Sequence, residues 1–397
     1  MSNITFCWEL GGGYGHIAGF EPLAEKLIAK GYCVNALLRD TSNAHQFFKE
    51  MPVRCMNAPI GGQKKRYAAP TISYADIIKR CGYDSTESLL SLVQQWREKL
   101  HKYGSALIIA DHAPTALIAA RTLKLPATLF GTGFFSPPPL YPLPSITPWL
   151  NTPPDFLQHI EAEVLEVIND VLRHFAVDEL DYLYQLFEVD ENFLCTLPEL
   201  DHYSQRNIEA YWGPRFSDTT GIEAFWPKNG KKNIFIYTNN KYDLLDSLLL
   251  SLKRIDANIL IHCAGMDRSA TEGYAEENIC FSLEPVQIKS IEGKADLVIC
   301  HAGHGTVAAT LLMGIPLLLM PTQLEQLLLA GKLNQLKLSN TIDIRAKQTE
   351  FGKAVKHALG DQECEKRVKL FAEHYRGFDQ QDQLEEIVLA CGDLLRQ

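Results

Sequence analysis

Apolar residues in this chain gather into short runs separated by segments of helical period. Ile4 to Glu9, Cys33 to Leu38, Ala106 to Ala110 and Ala127 to Phe130 read as buried strands. Between them, Phe20 to Lys30, Glu87 to Tyr103 and Pro114 to Leu123 read as helices, the first stopped by Gly31, with Gly11 to His16 as the turn leaving the first strand. The alternation returns in the second half. Ile234 to Tyr237, Asn258 to Cys263 and Ile279 to Leu283 are strands around the helix Leu244 to Leu252, and Asp296 to Cys300 with Ile315 to Met320 flank a helix Val307 to Met313. Such alternation predicts parallel sheets covered by helices on both faces. A last helix, Gln380 to Leu395, carries Leu384, Ile387, Val388, Cys391, Leu394 and Leu395 at a period near 3.6, so one of its faces must be buried.

Interruptions of the pattern mark the domain plan. Pro-rich residues 136–154 cannot form regular helix or central strand and read as a stiff extended loop, either structural or an acceptor-side lid, before a helical stretch Phe156 to Phe187. After a strand Phe193 to Thr196, the turn-rich segment Tyr211 to Gly221 separates residues 1–212 from residues 213–376. A chain of 397 residues is too long for one ordinary core, so two domains are expected.

Composition narrows the function classes. A net charge of −10, with Lys64, Lys65 and Arg66 as the longest basic run, argues against nucleic acid as a partner. No leader and no window of about 18 apolar residues is visible, so a cytoplasmic protein without a transmembrane segment is expected. Ten cysteines without a CxxC pair suggest neither zinc nor a disulfide framework.

The chemistry concentrates at two strand ends. HAGHGT, His301 to Thr306, places Gly303 and Gly305 where backbone must approach a ligand and opens a helix. Backbone N–H groups, the Thr306 hydroxyl and the His301 imidazole would converge there on an anion; a merely tight turn is the plainer reading. Glu325 and Gln326, after Pro321, can accept from and donate to vicinal hydroxyls, or simply start a surface helix. At the other strand end, GGGYGH leads to His16, and Gly12 and Gly13 remove side chains where another molecule would fit. The spacing is not GxGxxG, which argues against a dinucleotide site. Asp111 closes the strand SALIIA and reads as a helix cap, as an orienting partner for His16, or as both at once, with His112 as a rival partner.

H-x-G-x-G-T, followed by G-I-P and then P-x-x-x-E-Q, resembles the donor-binding signature of nucleotide-sugar glycosyltransferases of the GT-B fold, UDP-glycosyltransferase-like (glycosyltransferase family 1). The resemblance implies two Rossmann-like doubly wound parallel-sheet domains facing a cleft, the first for the acceptor and the second for the donor, with residues 377–397 crossing back onto the first. It implies an inverting transfer in which His16 takes the acceptor proton and Asp111 orients it. His301, Gly303, His304, Gly305 and Thr306 would meet the diphosphate, helped by Thr238, Asn239 and Asn240. Leu283, Val286 and Gln287 would meet the base, and Glu325 and Gln326 the sugar. The family's aromatic at the base loop is absent, and Ala309 stands where many plant members carry a ribose-binding glutamate, so UDP and TDP both stay open. No metal or cofactor is implied beyond the nucleotide-sugar co-substrate, a UDP-sugar by resemblance. Aromatic and proline residues from Phe134 to Trp149 point to an apolar hydroxylated small molecule or a lipid as acceptor. The alternatives are a non-catalytic nucleotide-sugar-binding subunit and a UDP-sugar 2-epimerase, whose paired glutamates are missing here. Oligomeric state is not legible.

Overall fold

The computed structural model describes residues 2–396 apart from 14, 43, 62–68, 204–205, 207–210, 218–220, 240–242 and 343–349. The chain divides into two compact units, Met1–Leu197 with Asp201–Arg215 and Asp379–Gln397, and Pro198–Leu200 with Phe216–Phe378.

The first unit holds β1 (Asn3–Trp8), β2 (Cys33–Leu38), β3 (Arg54–Asn57), β4 (Ser105–Asp111), β5 (Ala127–Gly131) and β6 (Glu191–Leu194), in the order β3-β2-β1-β4-β5-β6. Every pairing is parallel. The second unit holds β7 (Asn233–Asn239), β8 (Asn258–Ala264), β9 (Ile279–Ser282), β10 (Leu297–Cys300), β11 (Leu317–Leu319) and β12 (Asn340–Thr341), in the order β12-β11-β10-β7-β8-β9. These strands are parallel too. The two units therefore share one topology. In each, the first three strands run outward in one direction and the last three in the other, so strand order reverses between β1 and β4 and again between β7 and β10. Helices leaving such a pair go to opposite faces and open a crevice at the carboxyl ends of the strands.

Burial explains why the central strands read so clearly. Ile4, Phe6 and Trp8 of β1 enter one core with Phe20, Leu23 and Leu27, and the Phe6 and Phe20 rings stack 3.9 Å apart. The helix Gln380–Leu394 closes the same core with Leu384, Ile387, Val388 and Cys391. Burying each such aliphatic side chain contributes roughly 1.5–3 kcal/mol, enough to hold a helix on packing alone. This helix also donates Gln383 Nε2 to the carbonyls of Trp212 and Gly213, at 2.8 and 2.7 Å, which ties down the segment leading to Arg215.

Several elements differ from the sequence expectation. The first helix is Gly15–Ala29, five residues earlier than Phe20, and it runs through Pro22. Two glycines and a proline hide it from propensity, and burial of Ile17, Phe20 and Leu23 overrides them. The helix after HAGHGT likewise starts early, His304–Leu312. β7 runs on to Asn239, because Thr238 and Asn239 pair with Cys263 and Ala264, so these two residues end a strand rather than form a loop. The expected helical stretch from Phe156 splits into the helix Pro154–His174 and a short 3-10 turn Leu183–Phe187. Edge strands β3 and β12 and the helices Leu324–Gln335, Phe351–Gly360 and Gln362–His374 add to the expected elements. The proline-rich loop is tied to the Pro154 helix by Leu143 N–H donating to Glu161 Oε2 at 2.6 Å, and it leaves Tyr141 and Trp149 half-exposed.

No helix among the described residues is long and apolar enough to cross a membrane. All ten cysteines are thiols, six of them buried and Cys280 exposed.

Candidate functional site

In the first unit the reversal point holds a histidine–aspartate pair. Asp111 ends β4 in register with Trp8 of β1, and His16 stands in the first turn of the helix that follows β1. His16 Nδ1 lies 2.8 Å from Asp111 Oδ2, with the carboxylate fully buried and the ring nearly so. Arg215 Nη2 donates to the same Oδ2 at 2.5 Å. Oδ1 has no hydrogen-bond partner among the described residues. Burial alone would raise the Asp111 carboxyl, but the Arg215 charge, then His16, outweighs it and holds the group down at about 2. An ionised carboxylate only accepts, so Nδ1 of His16 carries a proton, and in the neutral ring the lone pair is at Nε2. That is the tautomer a general base needs.

The surroundings keep Nε2 approachable. Gly11, at φ +83°, passes so close that a Cβ there would stand 3.0 Å from Nε2 of His16 and 3.1 Å from Nδ1 of His112. Trp8 stacks on the His16 ring at 4.9 Å and Phe135 lies tilted at 5.3 Å. Phe135 also stacks on His112 at 3.8 Å. Phe134 turns instead toward His202, at 5.2 Å, and its carbonyl accepts from Tyr203 Oη. Of the two adjacent phenylalanines, Phe135 and not Phe134 lies beside the histidine. Gly12 and Gly13 are exposed, and a Cβ on either would meet nothing within 4 Å.

The two rival readings of Asp111 fail on geometry. His112 sits 6.4 Å from His16, ring to ring, with its backbone at φ +48°. The helix Pro114–Leu123 is capped from another strand: Glu9, just past β1, accepts from Thr115 N–H at 2.9 Å and from the Thr115 hydroxyl at 2.5 Å. Burial drives the Glu9 carboxyl up to about 7, against these bonds and the Arg39 charge.

In the second unit the reversal point brings together Thr238, at the end of β7, and His301, just past β10. Thr238 Oγ1 and His301 Nε2 are 2.9 Å apart, and His301 Nδ1 is 3.0 Å from Met320 O. A carbonyl can only accept, so Nδ1 carries the proton and the neutral ring takes the Thr238 hydroxyl proton at Nε2. Burial lowers the His301 pKa and favours that neutral form. The imidazole thus serves the protein at both nitrogens, whereas the sequence pointed it at an anion. The helix His304–Leu312 begins at exposed Gly303, whose Cβ would meet nothing within 4 Å, after Ala302 at φ +62°. Val307 N–H makes the first bond to Gly303 O, so the N–H groups of His304, Gly305 and Thr306 precede the helical ladder and present the positive end of the helix.

The remaining expected residues have clear places. Gln326 Oε1 accepts from Thr322 N–H, the Thr322 hydroxyl and Gln323 N–H, which makes it part of the cap of the helix Leu324–Gln335 and leaves only its amide N–H2 to face a ligand. Glu325 is half-buried in that first turn. Leu283 is exposed after β9, and Gln287 is anchored through Nε2 to Gly221 O at 3.0 Å. Ile222 pairs with Val286 through Pro285 O and Gln287 N–H, which turns the Val286 N–H and C=O to the opposite edge. Asn239 is half-buried, and Asn240 lies outside the described residues.

Arg215, Gly19, Phe135 and Glu9 were not legible as site residues. Arg215 reaches Asp111 across 104 positions of sequence, and no local pattern marks it. Gly19 fell just ahead of the helix expected from Phe20, and only the earlier start at Gly15 places it inside one.

Comparison with known proteins locates the fold. Residues 253–350, inside the second unit, match the family model for the glycosyltransferase family 28 C-terminal domain. A search of curated protein sequences finds no match. Among solved structures, the calicheamicin glycosyltransferase CalG4 aligns with TM-score 0.72 and 17% identity over 98% of each chain. The glycosyltransferase of kitacinnamycin aligns with TM-score 0.70 and 15% identity over 99% of each chain. The glycosyltransferase VinC, solved in complex with DTDP, aligns with TM-score 0.67 and 11% identity over 99% of this chain and 98% of that one. At these identities the likeness establishes the architecture: two six-stranded parallel α/β units of the GT-B glycosyltransferase fold.

Proposed function

We propose that this protein is an inverting glycosyltransferase that moves a sugar from a nucleotide diphosphate sugar to a hydroxyl of an apolar small molecule or lipid. The observation that carries the reading is the His16–Asp111 pair, with Nδ1–H donated to a buried, ionised carboxylate and Nε2 held beside Gly11. The acceptor hydroxyl gives its proton to Nε2 as its oxygen attacks the anomeric carbon. Asp111 stabilises the imidazolium that forms. The bond from that carbon to the diphosphate oxygen breaks on the opposite side, so the anomeric configuration inverts.

The departing diphosphate is met by the amino end of the His304 helix, through the N–H groups of His304, Gly305 and Thr306 and the Thr306 hydroxyl. In this reading His301 and Thr238 lock the two strand ends that aim those groups, and no metal is required. Val286 would offer its N–H and C=O to the pyrimidine edge, a contact UDP and TDP share. Glu325 and the Gln326 amide would hold the sugar hydroxyls. The match of the second unit to a glycosyltransferase C-terminal domain and the DTDP bound by VinC support a pyrimidine diphosphate sugar as donor.

The test is nucleotide release from purified protein with UDP- and TDP-sugars, with and without hydroxylated apolar acceptors, in the presence of a chelator. Acceptor-dependent release, a product of inverted anomeric configuration, and a drop of about 10²–10⁴-fold in His16→Ala are expected. Tight nucleotide binding without release from any donor would favour a binding subunit instead.

A further inference from the structure

Asp111 serves two partners through one oxygen. Its Oδ2 accepts from His16 Nδ1 at 2.8 Å and from Arg215 Nη2 at 2.5 Å. The guanidinium is seated rather than draped. It lies 4.5 Å over the Phe130 ring of β5, and a Cβ on Gly19 would stand 3.0 Å from Nε, 3.1 Å from Cδ and 3.2 Å from Cζ. Gly19 belongs to the same helix as His16, one turn on, so that helix brings both the base and the gap that admits Arg215. Arg215 is buried, and it is the last residue of the segment Asp201–Arg215 in the first unit.

A buried histidine facing a lone carboxylate is drawn into its protonated form, because the ion pair is worth more in a poorly solvated site than in water. A protonated base cannot accept a proton. A permanent guanidinium on the same oxygen balances the carboxylate, keeps it ionised against the cost of burial, and removes the net negative charge that would hold a proton on the ring. We propose that Arg215 is a positioning residue that weakens the hold of Asp111 on a second His16 proton while leaving Asp111 ionised to orient the ring. The charge relation stands on the geometry of this unit; its catalytic meaning rests on the glycosyltransferase reading above.

The other groups packed around His16 do not supply this balance. β4 and the turn after it contribute Asp111 and His112, the loop after β5 contributes Phe135, and the end of β1 contributes Trp8 and Glu9, whose carboxylate is directed to Thr115. The Tyr74 phenol and the Cys195 thiol feel the Asp111 charge, and burial raises both, so neither carries charge near neutrality. Arg215 is the cation in contact with the pair among the described residues.

The experiment is an NMR titration of the full chain labelled at histidine Cε1, with the His16 signal assigned by its loss in His16→Gln, for wild type, Arg215→Gln and Arg215→Lys. Arg215→Gln should raise the His16 midpoint by about one to two pH units, and Arg215→Lys, which retains the charge, should shift it much less. The acid limb of kcat/KM, where activity falls as His16 takes a proton, should move to higher pH by the same amount. Should Arg215→Gln not fold, Gly19→Ala pushes the guanidinium off its seat and should shift the midpoint in the same direction by less. An unmoved or lowered midpoint in the folded variant, or in Gly19→Ala where that variant stands in, overturns the proposal. A raised midpoint in a protein that transfers no sugar would keep the charge relation and sink the glycosyltransferase reading; transfer with an unmoved midpoint would do the reverse.

Discussion

Each unit places a histidine where its strand order reverses, His16 after the first strand and His301 after the fourth, and the two histidines are built for opposite tasks. In the first unit the ring faces a buried carboxylate that also holds a guanidinium. In the second it faces a threonine hydroxyl and a backbone carbonyl. The partner decides the chemistry. A carboxylate stabilises the imidazolium and leaves Nε2 able to take a proton, whereas a carbonyl and a hydroxyl fix a neutral ring and engage both nitrogens. A common fold thus supplies the location, and one side chain beyond the adjoining strand supplies the function.

Making the first histidine resemble the second should have the largest effect. Asp111→Asn replaces the charge with an amide that can turn the ring to the wrong tautomer, and transfer should fall by about 10²–10⁴-fold with the protein still folded. Retention of wild-type kcat/KM would remove Asp111 from the reaction.

Glu9 sharpens the contrast between a carboxylate in direct contact with a guanidinium and one whose side-chain oxygens are bonded to Thr115 instead. Its folded pKa is raised from 4.5 to about 7, so its contribution to stability is complete below pH 4.5 and is lost as pH rises through about 7. The loss amounts to about 3 kcal/mol. Denaturant melts across that window should show a falling stability that flattens in Glu9→Gln. Asp111 has the opposite sign: depressed from 3.8 to about 2, it contributes stability above pH 3.8 that disappears as pH falls through about 2.

Gly11→Ala would place a side chain at φ +83° against Nε2, so a stability loss of about 1–3 kcal/mol and a larger loss of transfer are expected. Full activity in this variant would mean that acceptors do not approach His16 from that side. The smallest effect belongs to the second unit. Thr238→Val removes one hydrogen bond to a neutral ring and should weaken nucleotide binding by about tenfold, read by calorimetry, without moving the acid limb of the rate profile. A displaced limb would show that His301 also titrates in the reaction.

Much of this was open to reading along the chain, and the failures share a cause. The runs Cys33–Leu38 and Pro114–Leu123 were legible to the residue, since central strands and well-spaced helices declare themselves within one window. The Gly15 and His304 helices began earlier than the pattern allowed, because glycine at a helix start is a poor local signal and packing decides it. Gln326 followed a donor motif, yet its carbonyl oxygen closes a cap three residues long. Phe134 and Phe135 are indistinguishable as sequence; which one meets His16 depends on how the loop is held.

By itself the sequence determined the parallel α/β class, the strand ends where chemistry could sit, and the histidine, aspartate and glycine turns placed there, since all of these follow from local periodicity and the special backbone freedom of glycine. Only the tertiary structure decided that His16 meets Asp111, that Arg215 shares the carboxylate through the gap at Gly19, and that His301 turns to Thr238 and Met320. Such contacts join residues tens to hundreds of positions apart, and the charge state of a buried group depends on every partner within a few ångströms, whichever part of the chain supplies it.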